Sequence, residues 1–171
     1  MRDGFDEFVR SRGTGLLRIA YLLTGDRHSA EDLVQEVLEQ MYVKWRRIHG
    51  MPEAYARRAL VNRSANRWRR RGRRPEAPLG SHDVAAPDHS EHVVVRDTVL
   101  AALRTLPPRQ RAAVVLRYLE DLPVTEVARA LDCSEGNVKS SVSRGLVRLR
   151  AAMTDHNERH PAAPRATEAP A

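Results

Sequence analysis

A dense run of arginines, interleaved with aromatic and amide side chains, lies in the stretch AYARRALVNRSANRWRRR, residues 54–71. Asn62 and Asn66 are one helical turn apart, so the pattern predicts that they share a face. Guanidinium groups bind phosphates, and the rings of Tyr55 and Trp68 offer surfaces on which exposed bases stack. The stretch therefore favours nucleic-acid binding, with packing in the core as the preferred alternative for Trp68.

A second polar surface lies in the segment LPVTEVARALDCSEGNVKSSVSRGLVRLR, residues 122–150. Apolar residues recur at helical spacing on both sides of a break at Asp132, and Ser134 is a good N-cap for the second helix. Two helices joined by a short turn form the unit that places a recognition helix in the DNA major groove. The polar face of the second helix would meet the bases and carries Asn137, Lys139, Ser140, Ser143 and Arg144.

Composition also indicates a polyanionic partner. The 171 residues carry a formal net charge of +7, and arginine supplies nearly all the positive charge because Lys44 and Lys139 are the only lysines. Arginine forks match phosphates and guanine edges, although a codon bias toward arginine would give the same ratio of arginine to lysine.

Several other kinds of site find no support in the sequence. Cys133 is the only cysteine, which excludes an internal disulfide, and we expect it to be a small buried residue. His82, His89 and His92 lack a fourth ligand at zinc spacing. Neither a nucleophile elbow nor a glycine-rich phosphate loop is present. We therefore expect no catalytic residue, no metal and no cofactor.

The sequence contains neither a secretory signal at its start nor an apolar run near the length of about 20 residues that a membrane span needs. We expect a soluble cytoplasmic protein with no membrane insertion.

We predict that helices position these polar surfaces, because the sequence nearly lacks the alternation of β-branched and polar residues that is typical of strands. We expect an all-α protein of two small helical domains joined by a flexible linker, the second being a helix-turn-helix or winged-helix-like DNA-binding domain. Proline and glycine mark the linker and the tail. The expected boundaries are residues 3–74 and 93–153 for the domains, 75–92 for the linker and 154–171 for a disordered tail.

Within the first domain, Thr24, Gly25 and Asp26 predict a break between two helices, and Ser29 is the expected cap of the second. That helix, predicted to reach about Arg47, has an apolar stripe at spacings of three and four. Its other face, which a solvated surface would also explain, carries Asp32, Gln35, Glu36, Glu39 and Gln40.

These segments together resemble bacterial sigma factors. AEDLVQEVLEQMYVKW with the basic stretch after it is similar to their N-terminal domain. LPPRQRAAVVLRYLEDLPVTEVARAL followed by SEGNVKSSVSRGLVRLR is similar to their promoter-reading C-terminal domain. Two helical domains in this order are the layout of the extracytoplasmic-function (ECF, group 4) sigma factors, and the composition resembles the actinobacterial SigE-like members. The resemblance covers about residues 5–153.

The resemblance implies a transcription initiation factor that is not an enzyme. It would bind core RNA polymerase, read the −35 element of promoter DNA with the helix-turn-helix, and capture flipped bases of the −10 non-template strand without ATP. An anti-sigma factor is a further partner that the family implies.

The resemblance also implies roles for individual positions. The face that docks on the clamp of the polymerase largest subunit is matched by Asp32, Gln35, Glu36 and Glu39. The segment near the flap of the second-largest subunit is matched by Pro107, Arg109 and Gln110. The −10 surface is matched by Arg47, His49, Met51, Arg58, Asn62, Arg63, Asn66, Arg67 and Arg70. The −35 surface is matched by Ser134, Asn137, Lys139, Ser140, Ser143, Arg144 and Arg148.

Two other functions remain open from the residues alone. A stand-alone helix-turn-helix transcriptional regulator with an N-terminal interaction domain would bind duplex DNA tightly without polymerase. An RNA-binding adaptor would use the basic helix but would leave the helix-turn-helix unexplained.

Overall fold

The computed structural model describes residues 4–72 and 91–159. These residues form seven α-helices and no strand: α1 (Phe5–Thr24), α2 (Arg27–Lys44), α3 (Pro52–Gly72), α4 (Glu91–Thr105), α5 (Pro108–Val114), α6 (Val124–Leu131) and α7 (Glu135–Arg159). A 3₁₀ turn, Trp45–Arg47, follows α2, and a π-helical turn, Val115–Leu119, follows α5. The all-α prediction is confirmed, and the helix-turn-helix has no wing within this part of the chain.

Local sequence determines where α1 ends and α2 begins. Gly25 follows α1 with a φ of 89°, a left-handed conformation that glycine adopts at little cost. Asp26 then caps α2, because its carboxylate accepts a hydrogen bond from the backbone N–H of Ser29 at 2.8 Å. The prediction of Ser29 as the cap was wrong, since α2 begins at Arg27 and Ser29 lies within its first turn.

Helices α1, α2 and α3 pack around an apolar core. The Phe5 ring packs edge-to-face with Tyr42 and Trp45 at centroid distances of 5.3 and 5.2 Å, which holds the start of α1 against the end of α2. Trp68 does not join this core: it is 52% exposed, so the prediction of core packing was wrong. The largest fully buried side chains of this group are Leu16, Leu33, Val37, Met41 and Leu60.

Helices α6 and α7 form the predicted helix-turn-helix. Asp132 ends α6 in the left-handed conformation, with a φ of 51°. The Oγ of Ser134 accepts a hydrogen bond from the N–H of Asn137 at 3.2 Å, as expected of an N-cap. Helix α7 continues to Arg159, so residues 154–159 of the predicted tail are helical. Residues 160–171 and nearly all of the predicted linker lie outside the described residues.

The two halves of the chain pack against each other. Buried apolar residues of α3, such as Leu60 and Val61, belong to the same cluster as Val127 and Leu131 of α6. The predicted domains therefore share one continuous apolar core in this structure.

Arg111, on α5, is a buried charge at the junction of these halves. Its Nη1 donates to the carbonyl of Leu23 at 2.6 Å, and its Nη2 donates to the carbonyls of Arg104 and Leu106 at 2.9 and 3.2 Å. These carbonyls lie at the C-terminal ends of α1 and α4, which lack intrahelical donors and carry partial negative charge. Burial, and then the positive charge of Arg104, lower the pKa of the Arg111 guanidinium. Arginine nevertheless stays charged at neutral pH.

None of the helices in the two described ranges is long and apolar enough to cross a bilayer. The same residues contain no group of His, Cys, Asp or Glu side chains arranged to hold a metal ion.

Replacing Arg111 by leucine is expected to lower the free energy of unfolding by about 2–4 kcal/mol, because three carbonyls at the ends of α1 and α4 lose a charged donor. Chemical denaturation measures this. Arg109→Leu is the control, since it changes an exposed arginine two residues earlier on α5 and should cost much less. Equal losses in the two variants would show that the buried guanidinium has no special role.

Candidate nucleic-acid interface

An exposed polar surface runs along α3 and the loop before it. Arg58, Asn62, Asn66 and Arg70 follow each other at intervals of four residues, so they share one face of the helix, and all four are exposed. The loop residues Arg47, His49 and Met51 are exposed at the N-terminal end of this helix. Gly50 turns the loop with a φ of 93°, and Pro52 then starts α3. These seven residues are called the α3 surface below.

Two further arginines assigned to the −10 element point elsewhere. Arg67 Nη2 lies 2.5 Å from Glu36 Oε1, and Arg63 Nη1 lies 2.9 Å from Glu36 Oε2. Arg63 also donates to Gln40 Oε1 from Nη2 at 2.9 Å. The side-chain amide of Gln40 in turn donates to the Tyr55 hydroxyl at 3.0 Å. Sequence reasoning placed Glu36 on a polymerase surface and the two arginines on a DNA surface, and the structure pairs them with each other.

The pKa of Glu36 reflects this pairing. Partial burial by itself would raise the pKa of the carboxyl group. The hydrogen bonds and positive charges of Arg67 and Arg63 outweigh burial, and they lower the pKa below its ordinary value of 4.5. Glu36 is therefore ionised at neutral pH, and it neutralises part of the charge of α3.

The remaining polar residues of α2 are available to a partner. Asp32, Gln35 and Glu39 are exposed, with Asp32 lying 3.7 Å from the exposed His28 and Gln35 donating to Glu39 at 3.1 Å. Gln35 and Glu39 stand at the edge of an apolar groove of about 500 Å³ between α1 and α2, lined also by Phe5, Leu17, Val34, Leu38 and Tyr42. Sequence reasoning missed the groove because no single segment encodes it: it exists only where α1 meets α2.

The recognition helix α7 presents its predicted polar side outward. Ser140 is half-buried, and the guanidinium of Arg144 lies against it, with Nε donating to the Ser140 carbonyl at 3.3 Å. On the opposite side Val138 is fully buried. The residues of this face that are exposed are Ser134, Asn137, Lys139, Ser143, Arg144 and Arg148.

The three residues assigned to the flap are only partly accessible. Arg109 is exposed and donates to the carbonyl of Leu131 at 3.3 Å. Pro107 and Gln110 are half-buried, and Gln110 Oε1 is buried without a hydrogen-bond partner in the described structure.

Comparison with known proteins assigns the two halves of the chain to two regions of one family. Residues 8–74 match the model for Sigma-70 region 2, and residues 96–149 match the model for Sigma-70, region 4. The chain is 37% identical to the RNA polymerase sigma-E factor of Streptomyces coelicolor over 155 residues, 85% of this chain and 84% of that protein. It is 36% identical over 161 residues to the ECF RNA polymerase sigma factor SigE of Mycolicibacterium smegmatis, covering 90% of this chain and 63% of that protein.

A solved structure shares the fold. The sigma factor RpoE of Bartonella quintana, in complex with the anti-sigma factor NepR, superposes with a TM-score of 0.68 at 23% identity, covering 88% of this chain and 96% of that one. The two region matches and the relatives that span nearly the whole chain establish the family: the chain is an ECF RNA polymerase sigma factor of the actinobacterial SigE-like type.

Proposed function

We propose that this sigma factor docks on core RNA polymerase through α2, reads the −35 element with α7 and captures the opened −10 strand with the α3 surface. The observation that carries the proposal is the presence of two separate exposed polar faces, one on α3 and one on α7. The functional units are residues 3–74 and 93–153, joined by 75–92. The chain itself catalyses no reaction, and it acts in the cytoplasm with the polymerase, where an anti-sigma factor is the regulatory partner that the family implies.

The proposed polymerase contact combines an apolar anchor with an acidic rim. The groove between α1 and α2 offers apolar side chains, Glu39 is exposed at its edge, and Asp32 is exposed on the same helix as Glu39. A helix-in-groove contact needs this pairing of an apolar stripe and complementary charge. We assign the groove to a basic helix of the clamp on the largest subunit, with Arg109 and its neighbours near the flap of the second-largest subunit.

In the proposed −10 contact, one part of the α3 surface holds a flipped base and another part binds phosphates. Extruding a base costs a few kcal/mol of stacking, which contacts to the flipped base must offset. The exposed side chains of His49 and Met51 lie in the loop where such a base would be held. Arg58 and Arg70 then bind phosphates of the displaced strand, since guanidinium groups supply sequence-independent affinity.

The proposed −35 contact places α7 in the major groove. Arginine reads guanine through two hydrogen bonds, and lysine, serine and asparagine supply further donors and acceptors for base edges or phosphates. Arg144 lies near the middle of the exposed face, so it is the candidate for base reading.

Run-off transcription with core polymerase, this protein and fragmented genomic DNA tests the proposal as a whole. Discrete start sites that share two upstream elements are expected. An absence of protein-dependent transcripts, together with tight duplex binding by the protein alone, would contradict it and support a stand-alone regulator.

Removing two exposed acidic groups of α2 is expected to weaken polymerase binding. Asp32→Ala with Glu39→Ala should cost about 1 kcal/mol, roughly fivefold in affinity, because rim charges contribute modestly. Fluorescence anisotropy with core polymerase measures this. Asp155→Ala with Glu158→Ala makes the same charge change on exposed positions of α7 and should leave affinity unchanged. Equal affinities for the two double variants would remove α2 from the polymerase interface.

Arg144→Ala is expected to lower discrimination at one base pair of the −35 element by about 1–3 kcal/mol if the side chain reads that base. Competition binding of the holoenzyme to single-substitution promoters measures the change. Arg150→Ala, at an exposed position further along α7, should show no such selective loss. A loss shared by every promoter sequence would make Arg144 a phosphate contact instead.

Glu36→Gln is expected to reduce stability at neutral pH by up to about 1 kcal/mol, because two partly exposed ion pairs lose their carboxylate. The folded pKa of Glu36 lies below that of the unfolded chain, so its contribution is complete above about pH 4.5 and is lost as the pH falls through the folded value. Denaturation of both proteins between pH 3 and 7, roughly the range over which carboxyl groups titrate, measures the difference. A stability difference that did not shrink at low pH would mean that the charge of Glu36 is not what stabilises α3 against α2.

A further inference from the structure

One apolar side chain of α7 is left out of the core. Val147 is 65% exposed. The other valines and leucines of this helix all pack against the apolar clusters of the protein, and they are Val138, Val142, Leu146 and Leu149. Packing therefore gives no reason for a valine at position 147, and helix propensity gives none either, because alanine or arginine would favour the helix more.

Val147 lies in the middle of the exposed face of α7. It follows the fully buried Val138 by nine residues, which at about 100° per residue puts the two on opposite sides of the helix. Ser140, Ser143 and Arg144 precede it by seven, four and three residues, so all of them share one stripe. The recognition helix of homeodomains contacts bases through four residues at this same spacing.

The major groove offers one kind of apolar group to a side chain in this place. Every base pair presents hydrogen-bond donors or acceptors there, and thymine alone adds a methyl group, at C5. A valine removes apolar surface from water when it covers that methyl group. Against the polar edge of another base it supplies no hydrogen bond, so the edge loses water without gaining a partner. The side chain therefore favours a thymine over the other three bases.

We propose, on the basis of the proposed function, that Val147 reads a thymine of the −35 element through its C5 methyl group. The polar residues before it on the stripe bind neighbouring base edges or phosphates. Val147 lies about 4.5 Å beyond Arg144 along the helix axis, and successive base pairs are about 3.4 Å apart. The thymine is therefore within about two base pairs of the contact that Arg144 makes.

Removing one methyl group from the DNA tests this contact. The holoenzyme, assembled from core polymerase and the full chain, binds a promoter that run-off transcription has mapped. Each thymine of the −35 element, on either strand, is replaced in turn by deoxyuridine, which lacks only the C5 methyl group. At one position the replacement is expected to weaken binding by the wild-type protein about fourfold in a competition assay, because one buried methyl group is lost.

Val147→Ala removes the same contact from the protein. At that position the variant is expected to bind the thymine and the deoxyuridine promoters equally well, since the two changes delete one interaction and their effects do not add. Val43→Ala is the matched control, because it shortens a valine that is 77% exposed on α2. The control should keep the fourfold preference for thymine. Circular dichroism establishes that both variants are folded.

Several results would overturn the proposal. One is a wild-type protein that is indifferent to deoxyuridine at every position, and another is an undiminished preference for thymine in Val147→Ala. Weaker binding of the variant to both promoters alike would point to a contact other than the methyl group. A −35 element built from G·C pairs alone would also contradict it. Failure of the proposed function is distinct from all of these, because it would show as an absence of transcripts from the wild-type holoenzyme.

Discussion

The packing of the two halves depends on Arg111, a buried positive charge at the C-terminal ends of α1 and α4. Helix C-termini carry carbonyls without intrahelical partners, and two such ends, those of α1 and α4, meet at Arg111. A planar guanidinium presents five donors in a rigid fork, so it can bind several carbonyls from one fixed position, whereas a lysine has three donors on one compact ammonium and an apolar side chain has none. The same group therefore satisfies backbone carbonyls of both halves, and it makes the end of α1 part of the surface on which α4 and α5 pack.

The arginines of α3 form one basic cluster in the sequence, but in the structure they differ. Some pair with side chains of α2, and others are exposed where a nucleic acid could contact them. On α3, Arg63 and Arg67 face α2 and pair with Glu36 and Gln40, whereas Arg58 and Arg70 lie on another face of the helix and are exposed. Internal carboxylates thus offset the repulsion among like charges, so that helix can fold before any nucleic acid is bound. Glu36 therefore stabilises the packing of the basic helix α3 on α2. Its acidic character alone does not identify a separate binding interface.

Much of the architecture could be predicted from the sequence because its signals are local. The break at Gly25, the cap at Ser134 and the left-handed Asp132 each follow from the residue type at one position. Sequence reasoning fell short where tertiary contacts decide. Trp68 is exposed although its side chain is large and apolar, and Glu36 turns toward arginines that lie 27 and 31 residues away in the sequence. The groove between α1 and α2 and the contact between the halves depend on how separate helices meet, which periodicity along one helix does not encode.

Helix α7 packs against the rest of the protein on one side and presents its DNA-binding residues on the other. A side chain at position 145 would place its Cβ 2.7 Å from Val114 Cγ2, so Gly145 lets α7 approach α5 closely, and Val138 is fully buried nearby in the same helix. The exposed residues of α7 contribute little to this packing. Their identities can therefore change at small cost in stability, and a lineage can acquire new promoter preferences, and with them new sets of regulated genes, while the scaffold that presents the helix stays the same.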